Sequence, residues 1–557
     1  MNINIWKNRE ILTPGQKKAR NKERLLLILS GVLLGISFPP FPFPCQLFMF
    51  FGLIPYLYVI EKKTKLIDIN RSSYLAFFVF GLITLYWVGS WQKNADPFLM
   101  ISGILLIFVN PLFLLIPSTL LYFSRRVLPQ RLTLFLFPLF WVTYEYAYMI
   151  TDLSFPWLTL GDGLSHFTAF IQIADVIGTL GLSLIVVLIN VLLYKSYFNF
   201  KQKRKIAYYN LSAAVFIYSF ILIYGFIKLN DFKLSDKKIK VGLIQPNINP
   251  WEKWNIGNLN DFTKLYMDLS REAVKKGAKL IVWPETAIPV YLLSGGYDET
   301  LDSIYNFVEK NNVYLLTGMP DIRYYHEPEK MPNDVKYNSN IGYYATYNAI
   351  LLFSPDTRMV QRYGKMKLVP FGERVPFVDQ FPFLGKIIKW GVGITGWNVG
   401  KDTTVFKIKD SDLSNSANDT VKIDGLVCYE SIYPIFVSEF VRRGAQFITV
   451  VTNDSWYGNS SGPYQHKEMS VLRGVENRRT VIRAANGGIS CIIDPLGRTE
   501  IHSQMFTRTF LVGDVIIQND ETFFTKHAYL VPVLSSVLSI WIIGMFILFW
   551  LKRKFKL

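Results

Sequence analysis

The sequence predicts an α/β domain attached to a bundle of about eight apolar helices. Half of the 557 residues are hydrophobic and the mean hydropathy is +0.23, which is too apolar for an ordinary water-soluble protein. Long apolar windows fill residues 1–234 and return in 521–557, whereas 235–520 carries short β-branched runs separated by polar or amphipathic stretches. We therefore predict an N-terminal membrane domain (1–234), an α/β domain (235–520), and a C-terminal membrane helix with a basic tail (521–557).

Eight windows are long enough to cross a bilayer as helices. A helix needs roughly 20 residues to cross a hydrocarbon layer of roughly 30 Å. The prolines of "SFPPFPFP" at 37–44 blur the boundary between the first two windows, and the fifth window is short. The windows are 25–41, 44–60, 73–91, 98–123, 132–149, 168–194, 206–228 and 529–551.

The distribution of lysine and arginine orients these helices. Basic residues concentrate in alternate segments, and Lys93 is the only one in the two intervening loops, 92–97 and 150–167. The positive-inside rule therefore predicts a multi-pass inner-membrane protein with both termini in the cytoplasm and residues 235–520 on the periplasmic side. The first apolar window lacks a small-residue cleavage site and is typical of an uncleaved anchor. The basic segments, with their numbers of Lys and Arg, are 1–24 (seven), 61–71 (four), 124–131 (three), 195–205 (five) and 552–557 (four).

The same distribution argues against nucleic acid as a partner. The net charge is +18, but the basic segments hold nearly all of the excess positive charge. The remainder of the chain is close to neutral, so the α/β domain has no surplus of cations to neutralise phosphates.

The α/β domain is predicted from apolar runs with helical or loop material between them. The stretch 260–278 is amphipathic at helical spacing and ends near Gly277, which predicts a helix there. Several runs finish in polar residues, and ligand sites of open α/β sheets collect at the carboxyl ends of strands. The predicted strands lie within 240–247, 279–285, 313–319, 348–354, 423–430, 447–454 and 487–494.

Three of the polar residues in this domain form a chemically coherent set. Cys428 ends an apolar run in "IDGLVCYE", but a thiol is a modest nucleophile until a base removes its proton. Glu285 ends the run in "VWPETA", where apolar neighbours should raise its pKa and suit it to that task. Lys365, in "KMKLVPFGE", could stabilise a thiolate and then an oxyanion.

Other interpretations of these residues remain open. Glu285 could cap a helix N-terminus, and Lys365 could lie in a solvated basic loop. His466 or His502 could serve as the base instead, although neither ends a predicted strand. A disulfide between Cys428 and Cys491 is a further alternative, but Cys491 is more simply a small core residue.

Taken together and in this order, the motifs resemble the nitrilase superfamily, with its Glu-Lys-Cys set on an αββα sandwich. The combination of "WPETA", "KMKLVPFGE", "CYE" and "NDSWYG" with flanking membrane helices resembles the apolipoprotein N-acyltransferase family over nearly the whole chain. The resemblance implies a general base, an oxyanion-stabilising lysine, a nucleophile, supporting residues, and two substrate-side tryptophans. The general base would be Glu285, the oxyanion-stabilising lysine Lys365 and the nucleophile Cys428. The supporting residues would be Glu373, Glu430 and Tyr429, and the substrate-side tryptophans Trp254 and Trp397.

The resemblance also implies an activity. A fatty acyl group would pass from a membrane phospholipid, through a thioester on the cysteine, to the N-terminal amine of a diacylglyceryl apolipoprotein. No cofactor and no metal are expected, because no Cys/His cluster with ligand spacing occurs in the sequence. The stretches 321–344 and 409–421 look longer than expected. The Gly-rich 390–400 could be a mobile cover over a site, or it and 321–344 could both be exposed loops with buried aromatic residues.

The residues alone leave two other function classes open. A membrane-anchored amidase or nitrilase would use the same three residues but release the acyl group to water. A transport or scaffold protein would show intramembrane charge. Glu145 and Asp175 are the main acidic residues in the predicted spans, and helix packing accounts for both.

Overall fold

The structure is a computed structural model that describes residues 13–93, 95–253, 259–327, 331–332, 334–381, 383, 396–409 and 420–555. Before the α/β domain the chain is helical. Helix α1 begins at a capping box, in which Thr13 accepts from the Gln16 amide and Pro14 takes the first helical position. The helices are α1 (Pro14–Gly35), α2 (Ile54–Glu61), α3 (Leu66–Leu85), α4 (Pro97–Phe113), α5 (Leu115–Val127), α6 (Gln130–Thr133), α7 (Phe137–Met149), α8 (Thr168–Ile171), α9 (Ala174–Asn199) and α10 (Arg204–Asp231).

Five helical stretches among the described residues are long and apolar enough to cross a membrane. They coincide with the third, fourth, sixth, seventh and eighth predicted windows, so a multi-pass membrane protein is indicated. The other three windows contain α1, which begins in basic sequence, and the shorter helices α2 and α7, of 8 and 13 residues. The five stretches are Leu66–Gly89, Pro97–Val127, Ala174–Asn199, Arg204–Asp231 and Phe523–Phe555.

The α/β domain contains two main sheets. In the first, the strand order is β14-β1-β2-β3-β5-β4, and β6 also pairs with β5; in the second it is β13-β12-β11-β10-β9. β7 and β8 form a separate pair. The strands are β1 (Lys238–Gln245), β2 (Leu280–Trp283), β3 (Tyr314–Tyr325), β4 (Lys336–Asn338), β5 (Gly342–Ser354), β6 (Thr357–Gly364), β7 (Phe406–Lys409), β8 (Thr420–Ile423), β9 (Leu426–Val427), β10 (Ile448–Thr452), β11 (Val481–Ala485), β12 (Cys491–Ile493), β13 (Thr499–His502) and β14 (Thr509–Ile516).

The two sheets pack face to face, with helices outside them. β11 contacts β1 and β2, and β10 contacts β3, so the inner faces share one core. On the first sheet lie α11 and α12, and on the second lies α14, which gives the predicted αββα sandwich. The helices of this half are α11 (Leu259–Lys275), α12 (Asp298–Asn311), α13 (Pro434–Arg442), α14 (Ser461–Asn477), α15 (Phe523–His527) and α16 (Leu530–Phe555).

Most predicted elements of this domain are confirmed. Each of the seven predicted runs contains a strand, and the predicted helix is α11, which stops before Gly277 at φ +89°. The loop interpretation of 321–344 is wrong for its described residues. β3 continues to Tyr325, β4 is short, and β5 begins at Gly342, so much of this stretch extends the sheet instead. Of 390–400 and 409–421, residues 390–395 and 410–419 lie outside the described residues.

Candidate active site

Cys428 lies at the junction between β9 and a 3₁₀ turn, Cys428–Ile432. Its backbone has φ +52°, in the left-handed region that non-glycine residues rarely adopt. The hydroxyl of Ser431 donates to the Cys428 carbonyl at 2.8 Å, which closes the turn. The nucleophile predicted from the sequence therefore sits on a strained turn at a strand end, as functional residues often do.

Glu285 lies on a second strained turn, two residues after β2. Its neighbour Thr286 has φ +46°, which is a genuine outlier for a β-branched residue. Gly318 on β3 lets this turn approach closely, because a Cβ there would lie 2.7 Å from the Glu285 Cα. The Ala287 amide also donates to the Gly318 carbonyl at 2.7 Å, and Lys253 Nζ lies 3.4 Å from the Glu285 carbonyl oxygen.

Lys365 follows β6 directly and points at two buried carboxylates. Its Nζ lies 2.8 Å from the Glu373 carboxylate and 3.6 Å from Glu285 Oε1. Asn348 on β5 donates from Nδ2 to both carboxylates, at 2.8 Å each, and thereby holds them side by side. The backbone at Lys365 is also crowded, because a Cβ on Gly400 would lie 1.9 Å from the Gly364 carbonyl oxygen.

The charges of this cluster act on one another strongly. Burial raises the pKa of Glu285; Lys365 opposes this shift, and the like charge of Glu373 adds to it. Burial alone would lower the pKa of Lys365, but the two carboxylates raise it above its usual range. Burial and Glu285 together raise the pKa of the Cys428 thiol. The raised pKa of Cys428 favours a protonated thiol at rest, and the Lys365 ammonium lies close to the Glu285 carboxylate.

Glu430 joins the segment after Lys365 to the turn Cys428–Ile432, here called the nucleophile turn after its predicted role. Its Oε1 accepts from the Tyr363 hydroxyl at 2.7 Å and from the amides of Met366 and Lys367 at 2.6 and 3.1 Å. Its Oε2 accepts from the Val427 amide at 2.8 Å. The carboxylate therefore joins β6, the segment after Lys365, and β9 in one set of hydrogen bonds.

The remaining predicted site residues are Tyr429, Trp397 and Trp254. The Tyr429 hydroxyl donates to the Ser154 carbonyl at 2.8 Å, which ties the nucleophile turn to the helical region. Trp397 is buried, and its neighbours Gly396 and Gly400 donate backbone hydrogen bonds to the carbonyls of Glu373 and Lys365. Trp254 lies outside the described residues.

The structure also brings to Cys428 a cluster that sequence spacing does not reveal. Donor atoms of Cys428, Asp454 and His466 lie within 4.8 Å of one another. The set suggests a metal site, but the guanidinium of Arg483 lies 2.5 Å from Asp454 Oδ2 and 2.9 Å from His466 Nδ1. A cation at this position would be repelled by that charge, so the donor set does not fit a metal.

The alternatives left open by the sequence can now be placed. His466 reaches the nucleophile turn from inside α14 rather than from a strand end, and its Nε2 contacts the Cys428 carbonyl oxygen at 3.1 Å. His502 lies on β13, where its Nδ1 contacts the Ser503 carbonyl. Cys428 and Cys491 are both free thiols, so the disulfide alternative is wrong.

Comparisons with known proteins agree with this geometry. Residues 240–519 match the Carbon-nitrogen hydrolase family, and residues 30–192 match the Apolipoprotein N-acyltransferase N-terminal domain. The apolipoprotein N-acyltransferase of Chlorobaculum tepidum is 35% identical over 92% of this chain and 94% of its own length. That of Geobacter metallireducens is 32% identical over 93% of this chain and 94% of its own. The chain therefore belongs to the apolipoprotein N-acyltransferase family of the nitrilase superfamily, and it is an N-acyltransferase.

Proposed function

We propose that this enzyme moves a fatty acyl group from a membrane phospholipid to the N-terminal amine of a diacylglyceryl-cysteine apolipoprotein, through a thioester on Cys428. The observation that carries the proposal is the 3.6 Å contact between Glu285 and Lys365, both of which act on the pKa of that thiol. Family membership supports the acyl transfer, and the geometry supports the assignment of these residues to it.

In the first half-reaction, Glu285 accepts the thiol proton while the sulfur attacks the ester carbonyl carbon of the phospholipid. The carbonyl oxygen becomes an oxyanion, which the Lys365 ammonium stabilises; one such donor contributes roughly 3–4 kcal/mol. The ester C–O bond then breaks, and Glu285 returns the proton to the leaving lysophospholipid oxygen. The acyl group remains on Cys428 as a thioester.

In the second half-reaction, the α-amine nitrogen of the apolipoprotein attacks the thioester carbonyl carbon. Glu285 accepts the proton released by the amine, and Lys365 again stabilises the oxyanion. The C–S bond breaks, Glu285 returns its proton to the sulfur, and an amide is released. Two substrates that share one covalent intermediate predict ping-pong kinetics.

Both substrates are lipids, so we place the α/β domain against the periplasmic surface of the inner membrane, with both termini in the cytoplasm. Lifting an acyl chain into water would cost about 0.8 kcal/mol for each CH₂. The hydrogen bond from the Tyr429 hydroxyl to the carbonyl of Ser154, in the loop after α7, supports this placement. A fluorescent protein that requires cytoplasmic folding, fused after Leu557, should fluoresce if the proposed topology is right.

The thioester is tested by intact mass. Purified protein is incubated in detergent with phospholipid and no acceptor, alongside Cys428→Ala as the matched control. Wild type should gain one fatty-acyl mass that hydroxylamine removes, and the variant should gain none. Absence of the adduct from folded wild-type protein would refute covalent transfer through Cys428.

The acceptor is tested in the same sample. Adding a diacylated lipopeptide should discharge the thioester and produce an N-acylated peptide of the corresponding mass. A lipopeptide with an acetylated amine is the control and should leave the thioester in place. Discharge at equal rates with and without the free amine would indicate a hydrolase that passes the acyl group to water.

A further inference from the structure

His466 bonds to the backbone of the nucleophile rather than serving its proton chemistry. Its Nε2 lies 3.1 Å from the Cys428 carbonyl oxygen and 3.0 Å from the Ser431 hydroxyl. A carbonyl can only accept, so this hydrogen bond requires a hydrogen on Nε2. Together with the Ser431 hydroxyl, the imidazole gives the Cys428 carbonyl two donors, at a residue whose φ of +52° needs such support.

The imidazole is itself held by buried charges. Its Nδ1 lies 2.8 Å from Asp454 Oδ1 and 2.9 Å from Arg483 Nη2, and all three side chains are at least 96% buried. Burial alone would raise the pKa of Asp454, but Arg483 and His466 hold it well below its usual range. Burial and Arg483 both lower the pKa of His466. The imidazole is therefore held in a fixed orientation by two buried charged groups.

The residue before it, Gln465, connects the same helix to the membrane helices. Its Oε1 accepts from the indole N–H groups of Trp87 and Trp157, at 2.9 and 2.7 Å. Its Nε2 donates to the carbonyls of Pro39 and Thr84, at 2.9 and 3.2 Å. All four hydrogen-bonding positions of this buried amide are thus used on the region that precedes the α/β domain.

Trp157 contacts both neighbours. While its indole N–H bonds to Gln465, its ring lies 5.6 Å from the His466 ring, centroid to centroid. The path from the membrane helices to the nucleophile is therefore short and continuous. It runs from Trp157 through Gln465 and His466 to the Cys428 carbonyl.

We propose that His466 is a positioning residue that holds the Cys428 turn in its reactive geometry, and that Gln465 couples this hold to the membrane helices. The inference rests on the proposed function, because it assigns Cys428 as the nucleophile. This proposal also requires that the α/β domain pack against the membrane helices for the Cys428 thiol to face Glu285.

The test compares His466→Ala with His466→Gln. A glutamine amide at this position can place an N–H where Nε2 stands, whereas alanine leaves the Cys428 carbonyl with one donor fewer. His466→Ala should slow acyl-enzyme formation roughly 10- to 100-fold, in line with the cost of misplacing a reacting group by about 1 Å. The KM for phospholipid should change little, and His466→Gln should recover most of the rate.

A second readout does not depend on acyl transfer. Iodoacetamide labelling of Cys428, followed on its peptide by mass spectrometry, should slow in His466→Ala and recover in His466→Gln. Trp157→Phe keeps a ring against His466 but removes the donor to Gln465, and it should slow labelling in the same direction by a smaller factor. This variant also serves if His466→Ala fails to fold, as judged by its melting in detergent.

The outcomes separate the two proposals. If wild type forms no acyl adduct but the labelling pattern holds, the proposed function fails and the positioning role stands. If His466→Ala keeps wild-type rates, the positioning role is refuted. It is equally refuted if His466→Gln is as slow as His466→Ala while labelling stays at the wild-type rate, because proton transfer by the imidazole would then be the better explanation.

Discussion

Two buried charged clusters border Cys428, and they shift the pKa of a carboxylate in opposite directions. In the carboxylate–lysine cluster of Glu285, Lys365 and Glu373, two carboxylates share one ammonium, which is closer to Glu373 than to Glu285. In the Asp454 cluster, the carboxylate has a guanidinium of its own at 2.5 Å.

The pKa directions follow from this difference. Glu285, short of positive charge, has its pKa raised by burial, whereas the pKa of Asp454 is held well below its usual range. A carboxylate whose pKa is raised can exchange a proton during a reaction more readily, whereas one whose pKa is depressed stays charged. Burial alone therefore does not suit a carboxylate to proton transfer. A buried carboxylate that shares one cation with a second carboxylate keeps a raised pKa, whereas one with a cation of its own does not.

The largest expected effect is that of Cys428→Ala, because it removes the atom that both half-reactions need. We expect transfer of acyl groups to a diacylated lipopeptide to fall at least about 10⁴-fold, to the uncatalysed background. Cys491→Ala, which alters a buried cysteine outside the site, is the matched control and should retain activity. Substantial turnover by Cys428→Ala in detergent-solubilised protein would contradict the assignment of the nucleophile.

Glu285→Gln should come next. The amide keeps the shape of the side chain but cannot accept the thiol proton, and removal of a general base costs roughly 10²–10⁴-fold. Asp454→Asn is the matched change in the other cluster, and it should cost less because Asp454 exchanges no proton in the proposed reaction. Single-turnover acylation, measured by intact mass against time, compares the two. A larger loss in Asp454→Asn would reverse the roles assigned to the clusters.

Glu373→Gln should move the pH dependence rather than abolish activity. The like charge of Glu373 raises the pKa of Glu285, so removing that charge lowers it. Because the base must be deprotonated, activity is lost as pH falls through the Glu285 pKa. The acidic limb of the kcat/KM profile should therefore shift to lower pH in Glu373→Gln. A limb that stays in place or shifts to higher pH would show that Glu373 does not tune the base.

The sequence predicted the reactive side chains at strand ends but not the residues that position them. Glu285 lies two residues after β2 and Cys428 follows β9 directly, so the end of an apolar run marks each of them. Asn348 also carried a signal, since it is a polar residue that opens the apolar run "NAILLFS".

Gln465 and His466 carried no comparable signal. They lie inside a helix, and their partners are far away in sequence: Trp87 is 378 residues from Gln465. A polar side chain in the interior of a helix is usually solvated, and only the packing of α14 between the sheet and the membrane helices reveals that both residues are buried. Contacts of this kind depend on the tertiary fold and leave no local pattern.

A second comparison, between two lysines, yields the smallest expected effect. Lys365 and Lys253 are both almost fully buried, at 1% exposure. Two carboxylates raise the pKa of Lys365, whereas Lys253 contacts the Glu285 carbonyl and the Thr286 hydroxyl, and burial lowers its pKa to about 7.

The lowered pKa of Lys253 makes stability depend on pH. Above about pH 7 the folded protein has lost this proton, but the unfolded chain keeps it until its ordinary pKa of about 10.4. The unfolded state therefore binds more protons in that window, and the contribution of Lys253 to stability rises with pH by at most about 1.4 kcal/mol per pH unit. Lys253→Met removes this dependence, so the variant should be more stable than wild type near pH 7.

Melting of detergent-solubilised protein at pH 7, 8 and 9 measures that difference. The advantage of Lys253→Met over wild type should shrink as pH rises, because the free energy needed to deprotonate Lys253 on folding falls with pH. Lys264→Met, at an exposed position on α11, is the control and should track wild type throughout. An advantage that is independent of pH would mean that Lys253 is not desolvated as its surroundings indicate, and the contrast with Lys365 would then reflect packing rather than charge.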